Sequence, residues 1–296
     1  MKPAPFTYHR PVGVEAALGL LAELCAAGHH PKVLAGGQSL LPLLTMRLAA
    51  PSHLVDINAI PAIDQVTVTG RDVAVGALVR HRGLERHEAA HTALPLLRQA
   101  LTHVAHPTIR NRGTTVGSIC HADPSGELPA VLALLGGSVL ARSVRGARTI
   151  AAADLFVGPL ESSLSPDELV VQASFPLPAA GTGTAVVELA RRHGDYAMCG
   201  VVAAVTLDAA GRVVAARCAY VSAGDAIEPV DLTEPVTGAT PDAAHWDQAA
   251  DLARGQVRTV GDIHASADYR SELVAVLTGR ALREAAGRAA SVPVAA

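Results

Sequence analysis

Apolar residues recur at intervals of three and four over Val14 to Ala27, "VEAALGLLAELCAA", the spacing that turns one face of a helix toward a core. Gly28 closes that helix. A short apolar run, "PKVLA", reads as a buried strand. After a polar gap, "LLPLLTMRLA" returns to helical spacing, with Pro42 tolerated only near the first turn. "HLVDIN", "DQVTVTG" and "DVAVGA" predict short strands, the last two joined by a turn at Gly70, Arg71 and Asp72. Leu84 to Ala105 predicts one His-rich helix with a buried Ala/Leu face. His106 to Pro129 sustains neither period and predicts a long loop, a feature that inside a compact domain is usually functional.

Farther on, the pattern predicts a helix over Glu127 to Leu135. Strands follow over Ser138 to Arg142, near Arg148 to Ala151, and in "DELVVQASFPLP". The Pro/Gly/Thr cluster Pro176 to Thr184 is the best domain boundary. After it, "TAVVELARR" and "CGVVAAVTLDAAGRVVAARCAYVSA" predict an antiparallel sheet with a hairpin turn at Asp208 to Gly211. Helices over Pro241 to Arg254 and Ala265 to Ala289 back that sheet.

Composition narrows the function. A chain of 296 residues suggests one large domain or two to three smaller units. Half of the residues are hydrophobic but only 3% are aromatic, so Ala, Val and Leu must build the core. The formal charge of -3 comes from 24 basic and 27 acidic residues mixed along the chain, which argues against a nucleic-acid footprint. The start, "MKPAPFTYHRP", lacks a secretory apolar region, and "LPAVLALLGGSVLA" is too short to span a bilayer. A cytoplasmic protein without a membrane span is expected. Cys25, Cys120, Cys199 and Cys218 show no close pairing, so neither a disulfide framework nor a thiolate metal site is readable. Cys120, His121 and Asp123 stand close together, but no second cluster completes a ligand set.

The polar gap carries the chemistry. Ala35, Gly36, Gly37, Gln38 and Ser39 lie at a strand-to-helix junction, where consecutive main-chain N–H groups can converge on an anion. A tight turn needing positive φ accounts for the same residues. A second gap again joins glycines to hydroxyls, with Gly113, Thr114, Thr115, Gly117 and Ser118, and adds Asp123 and Glu127 near a helix start. Donors for oxyanions and carboxylates for hydroxyls are what a dinucleotide cofactor needs. Arg110 and Arg112 either help to neutralise phosphate or form a solvated face; His103 and His106 read as a helix-end pair. Rossmann, P-loop and nucleophilic-triad patterns are missing.

"AGGQSLLPLL", then "SHLVDIN", "TIRNRGTTVGSICHADPSGELPA" and "RRHGDYA", resemble in that order the flavin-binding medium subunit of molybdenum-containing hydroxylases. This is the family of the flavin proteins of carbon monoxide dehydrogenase and of the central segment of xanthine dehydrogenase. The likeness runs from about Phe6 to Arg288. It implies an α+β fold with a two-part FAD-binding domain over residues 1–177, split into a small α/β subdomain (about 1–55) and a larger mixed-sheet subdomain (about 56–177). A C-terminal antiparallel-sheet-and-helix domain would cover 184–290.

The resemblance implies that Ala35, Gly36, Gly37, Gln38 and Ser39 surround the FAD pyrophosphate, flanked by Val33, Leu34 and Leu40. Thr114, Thr115, Gly117 and Ser118 would form the opposing wall. Glu127, with Asp123 as a second candidate, would hold flavin or ribityl polar groups, and Val104 and Val170 would line the cofactor. Relatives carry two adjacent glycines where this chain has Val116 and Gly117, and a valine there would crowd a diphosphate or force a different φ. Tyr196 either covers the flavin ring, with Asp195 biasing its potential, or packs on the C-terminal sheet in a surface turn. The resemblance further implies an iron–sulfur small subunit and a molybdenum-cofactor large subunit as partners, in a heterohexamer of two heterotrimers. Electrons would pass from partner [2Fe–2S] clusters through FAD to an acceptor. A stand-alone flavin oxidoreductase, or an assembly subunit that has lost FAD, are the alternatives.

Overall fold

The structure is a computed structural model that describes residues 2–291, so Met1 of the expected first unit lies outside the described residues. The chain opens with β1 (Thr7–His9), α1 (Val14–Ala26), β2 (Pro31–Leu34), α2 (Leu40–Thr45) and β3 (His53–Asp56). The three strands pair in parallel in the order β1-β3-β2, with helices as the crossovers that parallel pairing demands. Ala17, Leu18, Leu21 and Leu24 are the buried face of α1, and Gly28 ends it in the left-handed region at φ 78°.

Next come β4 (Val66–Val68), β5 (Asp72–Gly76), α3 (His81–Glu85), α4 (Glu88–Ala93), α5 (Pro95–Leu101), α6 (Pro107–Arg110), α7 (Thr115–His121) and α8 (Glu127–Leu134). The single helix expected over Leu84 to Ala105 is therefore three. His87 breaks it by capping α4, its ring accepting from Ala90 N at 3.1 Å. Leu94 breaks it again, held extended (φ -142°, ψ 80°) by the proline that follows. The expected loop over His106 to Pro129 is likewise corrected: it holds α6, α7 and the start of α8. Four- and seven-residue helices are too short to display a period.

β6 (Ser138–Ser143), β7 (Gly146–Ala151), α9 (Ala152–Leu155), β8 (Phe156–Gly158), β9 (Glu161–Ser162) and β10 (Leu169–Pro176) complete this part. A five-stranded antiparallel sheet runs β4-β5-β10-β6-β7. Finally β11 (Thr182–Ala190), β12 (Ala197–Leu207), β13 (Val213–Val221) and β14 (Val230–Asp231) form a four-stranded antiparallel sheet, followed by α10 (Trp246–Gln256) and α11 (Ala267–Ser291).

Strand alternation splits this last sheet between two cores. Ala185, Val201, Ala203, Val205 and Cys218 pack with α10 and α11. Val186, Val202, Ala219 and Val221 point the other way and join the core of the first part, where α8 is buried from Leu128 to Leu134. Gly183 allows α11 to ride directly on β11: a Cβ there would stand 2.1 Å from Ala285 O and 2.2 Å from Ala289 N.

Candidate functional site

Between the end of β2 and the start of α2, Ala35 to Ser39 turn at the carboxyl edge of the parallel sheet, the edge where open α/β sheets place their ligands. Gly37 needs its freedom for φ 73°. Gly36 needs its bareness: a Cβ there would lie 2.6 Å from Arg112 O, 2.8 Å from Gly113 Cα and 2.9 Å from Thr114 N. The two glycine loops, far apart in sequence, thus abut through their main chains.

Their amides are free. Among the described residues, the N–H groups of Gly36, Gly37, Gln38, Ser39 and Leu40 donate to no protein acceptor, and neither do those of Thr114 and Val116. Such a run of unpaired donors across two touching turns is a concavity suited to an anion with several oxygens. Gln38 Nε2 bonds back to Gly36 O at 3.1 Å, and Ser39 makes no capping bond, which leaves its hydroxyl available.

A polar strut holds the loops together. Asn58 donates to Ala35 O at 2.8 Å and to Asp56 Oδ1 at 2.6 Å. Arg80 donates to Asn58 Oδ1 at 2.6 Å and to Arg112 O in the second loop. Tyr8 donates to Asp56 Oδ2, and the bonds that Asp56 accepts from Tyr8 and Asn58 hold its carboxyl below the usual range despite burial. The sequence had not singled out these residues. Asn58 closes "DIN" beside β2 and was findable as a strand-end amide, whereas Arg80 gave no local signal.

In the second loop, Thr114 Oγ1 caps α7 by accepting from Gly117 N at 3.2 Å, and Thr115, fully buried, faces His81. Burial drives His81 down to about 4, so it is neutral. Thr114 therefore offers the opening its main-chain N–H, whereas that of Thr115 donates to Val79 O, and Gly117 and Ser118 are half-buried at the edge. Val116 is corrected: it is 2% exposed, sits in the apolar core and has no positive φ, so it does not crowd the loop. Arg110 is neither solvated nor free for phosphate. It is buried and donates to Val104 O, Ala105 O and Glu85.

Val33, Leu34 and Leu40 flank the first turn half-buried, while Val104 and Val170 lie in the main core. Where the second loop meets the last sheet, acidic groups gather. Asp123 accepts from Ser125 N, and burial together with the charge of Glu188 raises the Glu127 carboxyl to about 8. Glu188, another residue the sequence reading missed, is raised by burial to about 7. Tyr196 is 68% exposed, so it is not packed away in the sheet, and partial desolvation with the charges of Asp123 and Glu127 holds its phenol above the usual range. Asp195 is exposed in the same turn. No group of three or more potential metal ligands is found among the described residues.

Both parts of this α+β chain match flavoprotein families. Residues 4–178 match the family described as FAD binding domain in molybdopterin dehydrogenase, and residues 184–285 match the CO dehydrogenase flavoprotein C-terminal domain. The chain is 40% identical to 6-hydroxypseudooxynicotine dehydrogenase complex subunit alpha of Paenarthrobacter nicotinovorans, over 98% of this chain and 97% of that one. It is 32% identical to the carbon monoxide dehydrogenase medium chain of Afipia carboxidovorans, covering 98% and 99%. A chain in the crystal structure of quinoline 2-oxidoreductase from Pseudomonas putida 86 superimposes with a TM-score of 0.90 at 33% identity, covering 98% and 99%. The protein belongs to this family, the FAD-binding medium subunits of molybdenum-containing oxidoreductases. Among the described residues no helix is long and apolar enough to cross a membrane.

Proposed function

We propose that this chain is the FAD-binding electron-transfer subunit of a cytoplasmic molybdenum hydroxylase, and that the abutting glycine loops hold the cofactor's diphosphate. The observation that carries the site is Gly36 against Arg112 to Thr114, with unpaired amides on both sides. Gly36, Gly37, Gln38, Ser39 and Leu40 donate main-chain N–H groups from one side, Thr114 and Val116 from the other. The hydroxyls of Ser39 and Ser118 add donors, while Asp123 and Glu127 supply acceptors for hydroxyl or ring N–H groups. Tyr196 is free to shield one face of the bound ring from water, and Asp195 lies beside it. Bound there, FAD supplies interconversion of one-electron and two-electron transfer.

Electrons would arrive from the [2Fe–2S] clusters of a small partner subunit, after substrate oxidation on a molybdenum-cofactor large subunit, within two heterotrimers. The same reading divides the chain into residues 1–177 and 184–290, supported by two family matches that meet between 178 and 184. The test is direct: the purified chain should carry FAD, seen in its visible spectrum and in the nucleotide released on denaturation. A colourless protein that takes up no FAD on reconstitution overturns the reading.

A further inference from the structure

Glu188 stands at a position where the chain calls for an apolar residue. On β11, Val186 and Glu188 share the face that packs into the first core, and Glu188 pairs with Gly200 of β12. The missing side chain at 200 is what leaves room for the carboxyl: a Cβ there would come within 3.3 Å of Glu188 Cγ and 3.5 Å of its Oε2. That Oε2 is buried and has no hydrogen-bond partner. Burying a carboxylate without a partner is costly, and such a group keeps a proton instead.

Glu127, at the start of α8, feels the charges of Glu188 and of Asp123 in the turn before it, and Tyr196 of the β11–β12 turn feels those of Asp123 and Glu127. His121, at the end of α7, lies near Asp123, while the Cys199 thiol of β12 feels the charge of Glu188 from the other core. Arg288 of α11 and Gln99 of α5 reach β11 only at Thr184, and Arg270 of α11 is bound to Met198 O, Val260 O and Asp262. Neither Glu127 nor Glu188 enters an ion pair among the described residues. Two carboxyls in one partly buried space with no cation cannot both ionise cheaply.

We propose that Glu127 and Glu188 act as one carboxyl pair that holds a single exchangeable proton at neutral pH beside the cofactor site, and that this proton couples the potential of the bound flavin to pH. The coupling, though not the shared proton, rests on the cofactor reading above. When a one-electron donor, chemical or protein, adds negative charge to the site, the singly ionised pair takes a proton from solvent. One O–H bond forms on a carboxylate oxygen, and one negative charge is cancelled. Glu188 acts through Glu127 and is a positioning residue.

Two measurements on the full chain test this. In the flavin-free protein, carboxyl-carbon NMR of labelled glutamate should show one carboxyl titrating near neutrality, and Glu188→Gln should move that titration in its partner. Ordinary titration of every glutamate below about pH 6 overturns the shared proton. In the FAD-loaded protein, Glu188→Gln should keep its flavin but show a shallower dependence of midpoint potential on pH between 6 and 8. An unchanged slope overturns the coupling. A wild-type chain that binds no FAD overturns the cofactor reading instead, and the apoprotein titration then decides the shared proton by itself.

Discussion

At the scale of single residues, the paired glycines differ in what they do. Gly37 supplies a backbone angle, so Gly37→Ala strains the turn by about 1–2 kcal/mol. Gly36 supplies closeness, and any side chain there must drive the second loop away. Gly36→Val should therefore lower the flavin-to-protein ratio of the purified chain by more than tenfold while most far-ultraviolet circular dichroism is kept; unchanged flavin content would refute the diphosphate assignment. The "AGGQS" run was legible because glycines beside hydroxyls mark a bend without reference to anything distant. Val116 was misread for the converse reason. From the chain alone it stood in a cofactor loop, and only the placement of α7 shows its side chain turned into the core. Glu188 escaped notice because its neighbours Glu127 and Gly200 come from other elements.

At the scale of elements, the strut from β1 through Asn58 and Arg80 to the second loop makes the site a shared property of both parts of the first unit. Asn58→Ala removes bonds to Ala35 O and Asp56 and frees Arg80, each bond worth about 0.5–1.5 kcal/mol. The expected result is FAD binding weakened by roughly five- to thirtyfold, read by isothermal titration. Farther down the chain, Gly183→Ala should destabilise the C-terminal layer by about 1–3 kcal/mol, measured by denaturant unfolding, because α11 lies against the β11 main chain. Helices α1, α10 and α11 and the hairpin of β12 and β13 were legible, since each is long enough to repeat its period. Helices α3 to α7 were not: their boundaries are set by His87, Leu94 and short proline-led turns that carry no repeat.

For the whole molecule, titration sets a pH profile of stability. Glu127 and Glu188, raised to about 8 and about 7, contribute stability that is complete below their ordinary 4.5 and lost as pH rises through those values. His81, lowered from 6.5 to about 4, works the other way, its contribution fading as pH falls below 6.5. Above 6.5 the glutamates act unopposed by His81. The melting temperature should fall between pH 6.5 and 8, and the Glu127→Gln/Glu188→Gln double variant should flatten that limb; a wild-type profile in the variant would reject the assignment. The sequence could not supply this profile, because alternation in β11 and β12 shows apolar residues on both faces without saying what covers each.

That double-sided sheet has a practical corollary. With Val202, Ala219 and Val221 pressed on one core and Val201, Ala203 and Cys218 in the other, the stretch between β10 and β11 is a tether rather than a hinge. A protease nick there should leave the fragments comigrating on gel filtration. Each piece made by itself should instead clump, since an oily flank of its own would be left bare.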